Sequence, residues 1–312
     1  MALHILVTGG AGYLGSVMCG RLLEAGYRVT VLDSLIYGQT TLFGLCGVKG
    51  FEFVRGDVRD EHVVRRLLKG ADVVIPLAAI VGAPACGRDP WTSSAVNLGA
   101  IEFLDRLRSL DQLVVFPTTN SGYGTQSGEV YCTEETPLQP ISRYGQDKTE
   151  AERILLDRGR TVTFRIATVF GMSPRMRLDL LVNHFVYAAL TEGSILLFEK
   201  DFKRNYVHVR DVADAFVHAI ENADAMVGRP YNLGLDAANL SKEELAQKIA
   251  THISGFQIFS SDVGSDPDKR NYIVSNERLR QVGFEASRSL DQGIEELIRG
   301  FSMLPRSPFK NI

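Results

Sequence analysis

Short apolar runs alternate with amphipathic stretches along the first 170 residues of the chain. The first run, His4–Thr8, leads into glycines, and the stretch after it has apolar residues at helical spacing until Gly26. The apolar runs do not alternate with polar residues, which indicates strands buried on both faces. The pattern predicts an α/β fold with helices on both faces of a parallel sheet. The predicted strands are His4–Thr8, Arg28–Leu32, Phe51–Arg55, Asp72–Leu77, Leu113–Thr118 and Thr161–Ile166, and the predicted helices are Ser16–Ala25, Thr92–Ser109 and Tyr144–Arg158.

The pattern changes after about residue 170, where the elements become shorter and the loops longer. Turn-forming residues occur here at Ser173–Pro174, Gly228–Pro230 and Asp266–Pro267. We interpret this part as a second, smaller α/β lobe. The stretch Tyr206–Asn222 has the pattern of a strand followed by a helix, and we expect it to return to the main sheet. The expected division is a large domain of residues 1–170 with about 206–236, and a smaller lobe of about 171–205 with 237–312.

Composition excludes several classes of protein. Hydrophobic residues make up 45% of the 312 positions and charged residues 23%, so the chain is not intrinsically disordered. The 34 basic and 37 acidic residues give a net charge of −3, which disfavours nucleic acid as a partner. The charge-free apolar stretch Val73–Gly87 contains two prolines and is shorter than the roughly 20 residues that a membrane-spanning helix needs. We therefore expect no membrane association.

Cysteine and histidine usage indicates a reduced, cytoplasmic protein without a bound metal. The four cysteines are far apart and form no C-x-x-C pair, and the six histidines form no H-E-x-x-H motif. The N-terminus has no basic segment or cleavage site of the kind found in a signal peptide.

A glycine-rich turn joins the first strand to the first helix. Gly9, Gly12 and Gly15 have the spacing of a dinucleotide-binding turn, in which small residues let a pyrophosphate approach the helix N-terminus. Tyr13 and Leu14 lie within the same turn. Asp33 ends the next strand, roughly 20 residues on, where a carboxylate accepts hydrogen bonds from the adenosine ribose and repels a 2′-phosphate. The pattern favours NAD over NADP, with a plain surface aspartate as the alternative for Asp33.

Two further segments lie at the carboxyl ends of predicted strands, where ligands bind in open α/β sheets. Gly56-Asp57-Val58 follows the third strand, and Leu77-Ala78-Ala79 follows the fourth. Asp57 is a candidate for holding the adenine amino group, and a simple loop aspartate is the alternative. The small Ala78 and Ala79 let a dinucleotide lie close to the backbone, although ordinary packing explains them as well.

A tyrosine and a lysine share one face of a predicted helix. Tyr144 and Lys148 are spaced i, i+4. A phenol with a reference pKa of about 10 is a poor base, but a neighbouring cation and an oxidised nicotinamide both favour the phenolate. Tyr144 can then take the proton of a substrate hydroxyl, and Lys148 can bind the nicotinamide ribose. A hydroxyl from the Thr119 segment can share a hydrogen bond with the reacting oxygen. By itself such a pair is more often part of a solvated helix.

Together these motifs resemble the extended short-chain dehydrogenase/reductases that act on nucleotide sugars as epimerases and dehydratases. The resemblance implies a Rossmann domain, a C-terminal lobe over it, bound NAD and a nucleotide-diphosphate sugar in the cleft between them. It also implies a homodimer that pairs Thr92–Ser109 and Tyr144–Arg158 with their copies. The segments that carry the resemblance beyond the residues above are Asn97, Thr119–Gly124, Arg165–Gly171, Arg204–Ala213 and Arg270.

The resemblance assigns roles residue by residue. Thr119, Tyr144 and Lys148 take the catalytic positions. Arg204 and Arg270 match positions that grip the substrate diphosphate, for which the fork of arginine is suited. The implied cofactor-binding residues are Gly9, Gly12, Tyr13, Leu14, Gly15, Asp33, Asp57, Val58, Leu77, Ala78, Ala79, Asn97, Tyr144 and Lys148. The implied substrate-binding residues are Asn120, Ser121, Thr168, Asn183, Arg204 and Arg270.

Departures from the family pattern narrow the expected reaction. Family 4,6-dehydratases have Thr-Asp-Glu where this chain has Thr119-Asn120-Ser121, and decarboxylases of the family usually keep the Glu. Asn and Ser cannot serve as a carboxyl acid/base pair, so dehydration and decarboxylation are disfavoured. Thr168 also replaces a frequent Asn, and Pro76 a frequent His. We predict an epimerase that works through a 4-keto sugar. A net 4-dehydrogenase or reductase is the alternative, and a non-catalytic NAD-binding regulatory protein the remote one.

Overall fold

The computed structural model describes residues 2–125, 131–261 and 271–303. Its strands are β1 (His4–Thr8), β2 (Arg28–Asp33), β3 (Phe51–Arg55), β4 (Val73–Pro76), β5 (Leu113–Thr119), β6 (Tyr131–Cys132), β7 (Thr161–Ile166), β8 (Thr168–Phe170), β9 (Ser194–Phe198), β10 (Lys203–His208), β11 (Arg229–Leu233), β12 (Asn239–Ser241), β13 (Gln257–Ser261) and β14 (Ile273–Val274). Its helices are α1 (Tyr13–Glu24), α2 (Glu61–Leu68), α3 (Ala83–Arg88), α4 (Pro90–Ser94), α5 (Ala100–Leu107), α6 (Arg143–Arg158), α7 (Leu181–Thr191), α8 (Val209–Glu221), α9 (Ala223–Met226), α10 (Lys242–Ala250), α11 (Glu277–Gln281) and α12 (Leu290–Ser302).

A seven-stranded parallel sheet forms the centre of the larger domain. Its strand order is β11-β7-β5-β4-β1-β2-β3, so the chain reverses direction across the sheet between β1 and β4. In such doubly wound sheets the crevice at the carboxyl ends of the strands, at the reversal point, binds the ligand. The predicted α/β fold with a parallel Rossmann sheet is confirmed.

Helices bury apolar side chains against both faces of this sheet. On one face α1 and α8 contribute Met18, Leu22 and Phe216 to a core with β1, β2 and β7. On the other face α2, α5 and α6 contribute a second set that includes Leu104 and Leu155. A third core, built mainly from α7, α10 and α12, belongs to the smaller lobe. In the part of the chain that the structure describes, no helix combines the length and apolarity needed to cross a bilayer.

The stretch Tyr206–Asn222 does not bring a strand back to the main sheet, contrary to expectation. Its strand, β10, pairs with β8 and β12 in a separate three-stranded sheet, and the strand that returns is Arg229–Leu233. The physical reason is that β10 lies between two cores: Val207 packs into that of the large domain, and Tyr206 into that of the smaller lobe. The helix α8 that follows does pack on α1.

The predicted helix Thr92–Ser109 is also interrupted. A wide π-helical turn, Ala95–Gly99, separates α4 from α5. Such turns leave the regular hydrogen-bond ladder and often occur near functional sites. Here the turn carries Asn97, whose amide nitrogen and oxygen bind the C=O and N–H of Ile80 at 2.9 and 2.8 Å.

Candidate active site

A cleft of about 520 Å³ opens at the carboxyl ends of the parallel strands, between the large domain and the smaller lobe. Its size is within the range of small-molecule sites. The structure brings most of the predicted site residues to its wall. Those on the wall are Gly9, Gly12, Tyr13, Leu14, Gly15, Asp33, Asp57, Val58, Leu77, Ala78, Ala79, Thr119, Ser121, Tyr144, Lys148 and Thr168.

The glycine turn has the geometry that a dinucleotide needs. Gly9 has φ +72°, and a Cβ there would lie 2.6 Å from the backbone of Ala78. A Cβ on Gly15 would lie 2.5 Å from the carbonyl oxygen of Gly9. The helix begins after Gly12 without a side-chain cap and without an acidic residue in its first turn. Because first-turn N–H groups lack helical acceptors, this end of α1 suits the pyrophosphate of NAD.

Asp33 lies on the cleft wall and also holds the turn together. Its two carboxylate oxygens accept from the N–H groups of Ala11 at 2.9 Å and Leu35 at 2.8 Å. Each oxygen keeps a second lone pair that a ribose hydroxyl can use. The position fits the predicted ribose contact, and the two backbone bonds fix the carboxylate beside the glycine turn.

Asp57 lies further along the same wall and is paired with Arg59. The guanidinium donates to both carboxylate oxygens, at 3.0 Å to Oδ1 and 2.6 Å to Oδ2. These hydrogen bonds lower the pKa of Asp57, so the group is a carboxylate at neutral pH. The predicted adenine contact therefore has an ionised acceptor available.

Two elements, α6 and β5, deliver the predicted catalytic side chains to the cleft. Ser142 caps α6 by accepting the N–H of Gly145 at 3.1 Å, which fixes where the helix begins and places Tyr144 in its first turn. Thr119 ends β5, and its hydroxyl donates to Ser121 Oγ at 2.9 Å. Tyr144, Lys148 and Thr119 all line the cleft. This arrangement can deprotonate a hydroxyl and orient it for hydride transfer.

Lys148 is buried in the wall of the cleft. Its ammonium lies 4.2 Å from the centroid of the Phe116 ring, and no described residue gives it a hydrogen bond or an ion pair. Burial lowers the pKa of Lys148 to about 7, because the charged form loses its hydration.

Replacing Lys148 with methionine should stabilise the NAD-free protein at neutral pH. In wild type the folded state has a pKa of about 7 for this group, against about 10.4 when unfolded, so between these values the unfolded state binds more protons. The burial penalty is full below pH 7 and is relieved as the pH rises to about 10. Urea unfolding at pH 7 and pH 9 should show a stability gain for Lys148→Met that shrinks at the higher pH; an equal gain at both would contradict the assignment.

Asn97 and Asn183 are not brought to the cleft wall. Asn97 is bound to Ile80, as described above, and so holds the loop after β4 from behind. Asn183 accepts from the N–H of Gly171 at 3.1 Å and donates to the C=O of Arg177 at 3.0 Å. Both amides are buried because their hydrogen bonds go to the backbone of cleft loops. In the structure they shape the cleft rather than line it.

The remaining predicted substrate contacts also lie off the wall or outside the described residues. Arg204 is on β10 and only 2% exposed. Asn120 is 1% exposed, and its side-chain amide has no hydrogen-bond partner in the described structure. Neither residue lines the cleft. Arg270 lies outside the described residues.

Sequence reasoning missed three arginines and two tyrosines on the cleft wall, namely Arg59, Arg175, Arg177, Tyr37 and Tyr272. Arg175 and Arg177 come from the loop between β8 and α7, and Tyr37 from the loop after β2. Arg177 binds both carboxylate oxygens of Asp179. The only signal in the sequence was two arginines two positions apart in a loop, which is too common a pattern to assign a role.

Known proteins are similar to this chain in sequence and in fold. The chain is 28% identical over 313 residues to UDP-glucuronic acid decarboxylase 1 of Arabidopsis thaliana, covering 96% of this chain and 70% of that protein. It is 27% identical to the Bacillus subtilis protein described as "Uncharacterized UDP-glucose epimerase YtcB", covering 97% and 99%. The crystal structure of UDP-glucose 4-epimerase from Thermotoga maritima with UDP-glucose matches with a TM-score of 0.84 at 25% identity, covering 96% and 99%. A family profile matches residues 5–234, and the chain belongs to the NAD dependent epimerase/dehydratase family.

Proposed function

We propose that the protein is an NAD-dependent nucleotide-sugar epimerase that acts through a 4-keto sugar. The observation that carries this proposal is the convergence of Thr119, Tyr144 and Lys148 at one end of the cleft, with Ser121 beside them in place of a carboxylate. The two relatives described above are named for reactions of UDP-sugars, which supports a nucleotide-diphosphate sugar as the substrate.

The side chains divide the work of hydroxyl oxidation. The Tyr144 phenol takes the proton of the sugar 4-hydroxyl, and the Thr119 hydroxyl orients the same oxygen. Lys148 binds the nicotinamide ribose and favours the tyrosine phenolate when protonated. When bound, NAD would supply the hydride acceptor for this oxidation and the hydride donor for the return step. If the keto sugar rotates in the cleft, the hydride would return to the opposite face of C4 and Tyr144 would give its proton back to the 4-oxygen, which inverts that carbon.

The charges of the cleft support oxidation without elimination. The carboxylates among its described lining residues are Asp33 and Asp57, and both belong to the predicted cofactor half. At the Tyr144 end, Ser121 Oγ accepts a hydrogen bond from Thr119 and cannot act as a carboxyl acid. Loss of water from a 4-keto sugar needs both a general acid and a general base. We therefore favour epimerisation over dehydration, and net 4-dehydrogenation remains the second candidate because it needs the same three side chains.

The absorbance of NADH during turnover distinguishes the two candidates. A panel of nucleotide sugars is first screened by thermal shift with NAD present, because a specific ligand stabilises the fold. With the sugar that binds, an epimerase should form the inverted sugar with catalytic NAD and without net NADH accumulation. NADH formed in proportion to released keto sugar would refute epimerisation and support the dehydrogenase.

We also propose that the protein forms a homodimer. The helical segments that would pair in a homodimer are α4 to α5 and α6, which lie side by side on one face of the main sheet. Trp91 at the start of α4 is largely exposed in the single chain, which is compatible with a covered position in a dimer.

A further inference from the structure

The loop between β8 and α7 is bonded to the first turn of α1. Ser173 Oγ donates to the C=O of Tyr13 at 2.7 Å and lies 3.0 Å from Ser16 Oγ. The Tyr13 hydroxyl donates to the C=O of Gly171 at 2.7 Å. These contacts join the loop to the helix end that suits the pyrophosphate. The loop also carries the residue two positions after Ser173, which is therefore tied to this end of α1.

That residue is Arg175, whose side chain lines the cleft. The backbone N–H of Arg175 donates to Ser173 Oγ at 3.3 Å, so Arg175 is bonded to the same serine that contacts Tyr13. The guanidinium carbon lies 4.3 Å from the centroid of the Tyr37 ring, within cation–π range. Tyr37 comes from the loop after β2 and also lines the cleft. Arg175 is only 9% exposed, although its side chain lines the cleft.

Two positive features thus line the same cleft. The uncapped N-terminus of α1 carries the positive end of the helix dipole, and the guanidinium of Arg175 carries a full charge. The guanidinium also donates to the C=O of Met176 at 3.3 Å, and the carboxylates of Asp33 and Asp179 favour its charged form. A diphosphate suits both features, because helix N-termini attract anions and arginine can donate in pairs to phosphate oxygens.

We propose that Arg175 binds the pyrophosphate of NAD from the side of the smaller lobe and, stacked on Tyr37, closes a clasp over the cofactor. The clasp makes release of the cofactor depend on breaking the contact between Arg175 and Tyr37. A cofactor held through the whole cycle can return its hydride to the same sugar. The inference rests on the family's use of NAD and not on whether the reaction is epimerisation.

Binding measurements on NAD-free protein test the contact without any substrate. Arg175→Met should weaken NAD and ADP-ribose about 10- to 100-fold, the usual effect of losing charge-assisted hydrogen bonds, and should leave adenosine affinity unchanged. Arg299→Met is the matched control, because it removes one arginine from the exposed face of α12, away from the cleft and from the helices of the proposed dimer. Arg175→Lys keeps the charge without the fork and should fall between the two; it also serves if the methionine variant fails to fold.

The rate of NADH release tests the clasp separately. Bound NADH is displaced with excess NAD, and the loss of bound NADH is followed by its fluorescence. Tyr37→Ala should release NADH faster, whereas Tyr37→Phe keeps the ring and should behave as wild type. The effects of Tyr37→Ala and Arg175→Met should not add in the double variant, since both break one contact. Affinities of Arg175→Met equal to those of the control, or equal losses for adenosine and ADP-ribose, would overturn the pyrophosphate contact. Additive release rates would overturn the clasp.

Discussion

Replacing Tyr144 with phenylalanine should lower kcat by about a hundred- to ten-thousand-fold, the usual contribution of a positioned proton-transfer group. The ring still fills its place in the first turn of α6, so the cleft keeps its shape. What is lost is the hydroxyl that takes the proton of the sugar. NAD affinity, measured by calorimetry, should change little, because the glycine turn is intact. The rate is measured by product formation with the nucleotide sugar identified in the thermal-shift panel.

Tyr187→Phe is the matched control for this experiment. Tyr187 is on α7, where its ring packs edge-on against Phe301 at 5.5 Å between centroids, and it does not line the cleft. Loss of the same hydroxyl there should leave kcat unchanged. Full activity in Tyr144→Phe would remove Tyr144 as the base. A fall in kcat together with an equal loss of NAD affinity would indicate a binding role instead.

The parts of the site that could be predicted are those that local sequence determines. The glycine turn needs only a strand, three glycines and a helix in succession, so its place at the end of β1 follows from spacing. Tyr144 and Lys148 are one helical turn apart, and their shared face is likewise a local property. In each case the chemistry lies within a single connection or element.

The parts that were missed depend on contacts between distant segments. Tyr37 and Arg175 come from loops far apart in the sequence, and neither loop has a pattern that predicts their contact. The prediction that the strand of Tyr206–Asn222 returns to the main sheet was wrong for a related reason. An apolar pattern indicates that a strand exists, but tertiary packing determines which strands it pairs with. The partners of β10 are β8 and β12. Asn183 illustrates a third limit, since a buried amide can serve a ligand or the backbone, and the structure shows the second.

Replacing Gly9 with alanine should both destabilise the protein and abolish NAD binding. Two penalties combine: φ of +72° is unfavourable for a residue with a Cβ, and that Cβ would lie 2.6 Å from the backbone of Ala78. The obstacle cannot rotate away, because it is the backbone of Leu77 and Ala78 in the connection after β4. We expect a loss of about 2–5 kcal/mol in the free energy of unfolding. The turn must shift to relieve the contact, and the pyrophosphate site shifts with it.

The same substitution at Gly20 separates this effect from the general cost of adding a methyl group. Gly20 lies within α1, and nothing lies within 4 Å of the position that its Cβ would take. Gly20→Ala should therefore stabilise the protein by about 0.5–1 kcal/mol through helix propensity, with NAD affinity unchanged. Urea unfolding without NAD and calorimetry with NAD measure the two quantities. If Gly9→Ala bound NAD as tightly as Gly20→Ala, the turn would not be the pyrophosphate site, because a glycine turn displaced by the contact with Ala78 cannot present the same N–H groups to the cofactor.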